Sequence, residues 1–187
     1  MNSMRSYGSI ILVIALFVIG QVLILPLSVS ATSSVPPTVP APIEVPAGSV
    51  LLFSRHAGGQ QIYECLNGQW AFHAPRALLS DPESDQRNGI HYGGIDHGLT
   101  PGPWWESLSD GSRIRAGNPV SAPSPNPNSI PLLRLQVLER QGTGEFSPVS
   151  YIQRLNTVGG TGPTGACEAG AQQKVLYRAD YYFYATP

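Results

Sequence analysis

The dipeptide Asn67-Gly68 stands between QIYECL and QWAFHA and constrains the fold more than any other local feature of the chain. Asn followed by Gly is the pair that best tolerates the positive φ angles of a two-residue hairpin turn. The flanking segments are therefore expected to be antiparallel strands. The two-residue period then puts Tyr63 and Cys65 on one face of the first arm and Ile62, Glu64 and Leu66 on the other. A second signal of the same kind, Asp110-Gly111, lies between WWESLS and SRIRAG.

The rest of the chain reads as strands separated by turns. Val50 to Phe53 is a short apolar run, and LLRLQVLER, SPVSYIQRLNT and KVLYRADYYFYA are the longest strand candidates. In the last of these Val175, Tyr177, Ala179, Tyr181 and Phe183 alternate with Leu176, Arg178, Asp180, Tyr182 and Tyr184, giving one apolar and one more polar face. Between Ala74 and Gly89 the alternation dissolves into an expected loop with one helical turn around Arg76 to Leu79. The prolines of GNPVSAPSPNPNSIP are expected to keep that connection out of a central strand. With 20 Gly, 18 Pro and no amphipathic helix longer than two turns, the fold class is all-β. The expected architecture is an antiparallel β-sandwich or barrel of about eight short strands with long Gly/Pro-rich loops, forming a single domain over residues 47–187.

Residues 1–31 read as a targeting segment rather than as fold. A short head with Arg5 precedes an apolar stretch, and Val29-Ser30-Ala31 places small residues where a signal peptidase reads them. Residues 10–29 are also long enough to remain as an uncleaved membrane anchor. In either case the rest of the chain is expected outside the cytoplasm, secreted or anchored. Residues 32–46, rich in Pro, form an expected linker that favours extended geometry. Cys65 and Cys167 are the only cysteines, and in an exported chain a disulfide between them is the default over two buried thiols. Neither Cys has the C-x-x-C spacing or neighbouring His of a redox or metal site.

Eleven basic against twelve acidic residues give a net charge of −1, with the basic residues scattered. That excludes a nucleic-acid backbone binder and a polybasic membrane-surface binder.

The order QIYEC, HYGG with GPWWE and DGS, IPLL, YIQRLNTVGG with GPTGAC, and VLYRADYYFY resembles an exported family known as domain of unknown function 3455, found in bacteria and fungi. The similarity covers about Ile43 to Pro187. It implies export, a mostly β domain and two cysteines placed like Cys65 and Cys167, and it implies no catalytic residue. Where such proteins run a His-containing segment almost directly into G-P-x-W, this chain interposes IDHGLTP between His91 and Gly102.

The richest stretch chemically is GIHYGGIDHGLTPGPWWESLSDGS. His91, Asp96, His97 and Glu106 are candidate ligands for a divalent metal ion, since imidazole and carboxylate are the donors of zinc, copper and non-haem iron sites. The plain alternative makes His91 a hydrogen-bonded strand residue, His97 a solvated one and Asp110 a turn residue. Trp104 and Trp105 beside Glu106 are candidate glycan-binding residues, an aromatic platform with a carboxylate acceptor. Adjacent strand residues face opposite ways, so one of the two indoles is expected to be at least partly exposed. Gly160-Thr161-Gly162-Pro163-Thr164-Gly165 matches a dinucleotide fingerprint in letters only. Pro163 deletes a backbone donor, and no βαβ unit can be completed after it.

No motif in the chain selects a reaction. The reading that follows is an exported β domain with a binding or structural role at the cell surface or outside it, its partner a glycan or another surface component. The alternative is a metal-dependent extracellular enzyme built on residues 91–110, and a third is a surface adhesin or stalk-tethered subunit held by the uncleaved leader.

Overall fold

Eight antiparallel strands close into one barrel in sequence order, each paired with the next and the last with the first. The computed structural model describes residues 35–187, so the expected leader and the start of the linker lie outside the described residues. The strands are β1 (Val50–Leu66), β2 (Gln69–Ser80), β3 (Arg87–Gly93), β4 (Pro103–Ser107), β5 (Arg113–Ala122), β6 (Leu132–Gln141), β7 (Tyr151–Gly159) and β8 (Gln172–Ala185). No described helix is long and apolar enough to cross a membrane. The all-β class and the strand number are as expected, and of sandwich and barrel it is the barrel that forms.

The Asn67-Gly68 hairpin forms with φ of 53° and 78° at its two turn residues, and β1 and β2 pair directly from Leu66↔Gln69 onward. The second hairpin is looser. Residues 108–112 connect β4 to β5, Gly111 takes φ 71°, and Asp110 Oδ1 accepts the Ser112 amide at 2.8 Å.

Several elements differ from expectation. The Val50–Phe53 run and QIYECL are one strand of 17 residues, because Gly58 and Gly59 carry the chain through without a break. A Cβ on Gly59 would overlap the backbone of Arg76 and Ala77, so only glycine permits β1 and β2 to approach this closely. Arg76 to Leu79 form strand, not a helical turn, since they are held on both sides, by Ala57 to Gln60 of β1 and by Gly89 to Tyr92 of β3. Pro75 is tolerated because β2 begins pairing with β3 only at Arg76. The Pro-rich connection enters β5 as far as Ala122, with Asn118 and Pro119 in a bulge between Gly117 and Val120 where no ladder bond is lost.

The interior alternation of β8 is as read. Tyr177, Ala179, Tyr181 and Phe183 enter the main core with Leu79, Trp105, Ile114 and Ile152. One half of the interior is filled by a plug from the β6–β7 connection, where Phe146 packs edge-on against Phe53 and Phe183 at 5.5 and 5.1 Å. At that end the buried Arg55 guanidinium is paired with Glu145 and lies 3.9 Å from Asp81. A second, outer core forms where Ile43 of the linker packs on Ala122, Leu132 and Leu155. Gln153 Nε2 donates to Ile43 O at 2.7 Å and fixes that segment to the wall.

Trp104 and Trp105 are both fully buried, at 0 % and 1 % exposure, which corrects the expectation that one would be exposed. They do face opposite ways. Trp105 enters the barrel, while Trp104 faces outward beneath the β3–β4 connection and donates from Nε1 to Thr100 O at 2.9 Å. That cover is tight: a Cβ on Gly94 would meet Thr100 O and the Trp104 indole. Gly94→Ala is accordingly expected to cost about 1 to 3 kcal/mol by overpacking. Thermal melting together with a red shift of the Trp emission would register it.

Candidate ligand-binding cavity

The interior half opposite the plug is not filled. It holds a cavity of about 220 Å³. Its walls come from strands far apart in sequence: Gln61 on β1, His91 on β3, Trp105 on β4, Ala116 on β5, Leu133 and Leu135 on β6, Arg154 on β7 and Tyr181 on β8. Phe72 and Pro119, both exposed, mark its rim. The inward alternation of each strand puts these side chains together, since residues of like parity share the barrel interior.

The aromatic wall is ordered. His91 stacks on Trp105 with ring centroids 4.1 Å apart and planes 16° from parallel, and Tyr181 stands edge-on to both at 5.1 and 5.5 Å. His91 Nδ1 lies 2.8 Å from Trp104 O, and a carbonyl only accepts, so Nδ1 carries the proton and Nε2 the lone pair. Burial is the main reason that the His91 pKa falls to about 3, with Arg154 adding to it and the Trp104 carbonyl opposing it. His91 is therefore a neutral ring. Burial raises the Tyr177 and Tyr181 hydroxyls, against which the Arg154 charge works in the other direction.

Two donors on this wall are unsatisfied. Gln61 Nε2 and Trp105 Nε1 are buried without a hydrogen-bond partner; the third such atom among the described residues, Asn88 Oδ1, belongs to the start of β3. The Gln61 amide lies beside the Tyr177 hydroxyl but makes no bond of good geometry with it. Leaving a buried donor unpaired costs about 1 to 3 kcal/mol. Two of them at one cavity require an acceptor from whatever fills it, water or ligand.

The residues expected to hold a metal are not brought together. Ile90 pairs with Glu106 and His91 with Trp105, so His91 faces inward while Glu106 faces outward. Glu106 accepts the Tyr92 hydroxyl at 2.6 Å and lies 3.6 Å from the Arg113 guanidinium. Asp96 pairs with His73 at 3.1 Å, and His97 lies exposed against the Tyr92 ring. Among the described residues no group of three or more His, Cys, Asp or Glu could hold a metal ion. Nor do Trp104, Trp105 and Glu106 form a sugar platform, because one indole is under a loop, the other is inside the barrel and the carboxylate is on the outer face. Asp110 serves its turn, and its Oδ2 also accepts the Glu145 amide at 2.9 Å.

Cys65 and Cys167 are joined, with their Cα atoms 5.8 Å apart. The bond ties the end of β1 to the β7–β8 connection that carries the glycine-rich stretch. The profile of the family described as "Protein of unknown function (DUF3455)" matches residues 46–185, which span the whole barrel and both cysteines. The chain belongs to that family. No curated protein and no solved structure matches it. Within this DUF3455 domain, sequence reasoning singled out His91 and Trp105 for other roles and missed Gln61 and Arg154. A signal for these two exists in the pattern. Gln61 shares its parity with Ala57 and Gly59, and Arg154 with Ile152, so each is a polar residue at a core position of its strand.

An outer groove of about 870 Å³ crosses β1 at Gly58, bordered by Arg76, Leu78, Leu176 and Arg178. It is open, and its arginines and leucines are exposed to water. The groove therefore lacks the buried, unpartnered groups that set the interior cavity apart.

Proposed function

We propose that this chain is an extracytoplasmic binding domain that holds a small organic molecule inside its barrel, either released or held at the membrane by residues 10–29. The observation that carries the reading is the pair of buried donors without partners, Gln61 Nε2 and Trp105 Nε1, on the wall of an interior cavity. Small-molecule sites are mostly apolar concavities with a few placed polar groups, and this cavity has that make-up. An apolar cavity of about 150 Å³ already admits benzene. The space here exceeds that and suits one six-membered ring with a substituent. The disulfide supports the compartment, since such bonds persist under oxidising conditions.

Toluene tests occupancy without assuming polar chemistry. Ligand-observed NMR on the purified chain is expected to show saturable binding that is lost in Ala116→Phe, where the new ring fills the space. Absence of saturable toluene binding, or binding untouched by Ala116→Phe, would overturn the reading.

A further inference from the structure

Resting on that reading, we infer that the cavity takes an anion, a single-ring compound bearing a carboxylate, with Arg154, Gln61 and Trp105 as its recognition groups. The formal charge of the lining is one-sided. No Asp or Glu borders the cavity, while a guanidinium, an amide and an indole N–H do. Among the described residues the arginine ion pairs belong to Arg55, Arg113 and Arg115. Arg154 has none; its Nε and Nη2 donate to the neutral Pro131 carbonyl at 3.2 and 2.9 Å. Arg154 is a half-buried cation without a counter-ion and the two N–H groups lack acceptors, so a single acceptor that bears negative charge answers all three. Arginine suits a carboxylate in particular, because its planar fork matches the two oxygens. A ring suits the aromatic part of the same wall, where His91 and Trp105 stack on each other and Tyr181 stands edge-on to both. His91, being neutral, does not compete for the anion.

Benzoate, toluene and benzylamine differ in charge while sharing the ring. Calorimetric titration at pH 7 is expected to show benzoate binding at least about tenfold tighter than toluene, with the cationic benzylamine weakest, since hydrogen bonds to a charged group are stronger than those between neutral groups. Arg154→Met is expected to erase the preference for benzoate over toluene. Gln61→Leu keeps the side-chain volume and deletes the unpaired donor, so it should raise the melting temperature of the free protein while weakening benzoate about tenfold. That opposition is what a purely structural glutamine would not produce. If toluene binds as tightly as benzoate, or if both variants leave benzoate binding unchanged, the anion assignment is overturned while cavity binding stands. If no ring compound binds, the underlying reading falls as well.

Discussion

Replacing Cys65 and Cys167 together by Ser is expected to lower the unfolding free energy by about 4 to 5 kcal/mol. The two residues are 102 apart in sequence, so the bridge restrains a long loop of the unfolded chain. In the chain-entropy account the restraint grows with the logarithm of loop length, which puts this bond near the top of the usual range. The native geometry around it is held independently: Cys65 N donates to Ala171 O at 2.8 Å and Gly170 N donates to Cys65 O at 3.2 Å. The double variant should therefore fold to the same barrel and lose its stability through the unfolded state. Urea titration with and without reductant reads the difference directly, and for a chain of this size the melting temperature should drop by on the order of 10 °C or more. Equal midpoints for variant and parent under oxidising conditions would show that the bond contributes nothing.

The second large effect is a loss of stability in acid caused by His91. Burial depresses its pKa from 6.5 unfolded to about 3 folded, so between those values the unfolded chain binds a proton that the folded chain does not. Stability then rises with pH across this window. It is fully present above about pH 6.5 and is lost as pH falls toward 3, at about 1.4 kcal/mol per pH unit and up to about 5 kcal/mol in all. In His91→Phe the ring remains and the proton site does not. Comparing the slopes of unfolding free energy against pH for the two proteins separates His91 from the carboxylates, which titrate in both. Parallel slopes between pH 4 and 6 would exclude this role for His91.

What the residues disclose in advance follows the range of the physics. The Asn67-Gly68 turn and the alternation of β8 depend on neighbours a few positions apart, and both are legible. The continuity of β1 through Gly58 and Gly59 is not, because a glycine pair reads as a break until the approach of Arg76 and Ala77 explains it. Arg76 to Leu79 likewise become strand through partners on both sides, which no local pattern reveals. The cavity is harder still. Gln61, His91, Trp105, Arg154 and Tyr181 come from five strands, and only closure of the barrel puts them on one wall. Nearness in sequence instead suggested a cluster of His91, Asp96, His97 and Glu106, but the alternation of β3 and β4 puts His91 and Glu106 on opposite faces of the sheet, and Asp96 and His97 lie in the turn between the two strands.

The barrel is closed by pairing β1 with β8 from Val50↔Ala185 to Glu64↔Gln172, the longest-range ladder in the molecule. Contacts of such sequence separation form late and slowly, since the loop entropy is lost before they repay it. Until residues 172–185 arrive, β1 and β7 present bare edges able to template pairing with another chain, an exposure that the finished ring abolishes. A chain that stalls or is clipped before β8 is thus left with two adhesive flanks rather than a slightly weaker barrel, and the last strand to be made protects all the others from aggregation.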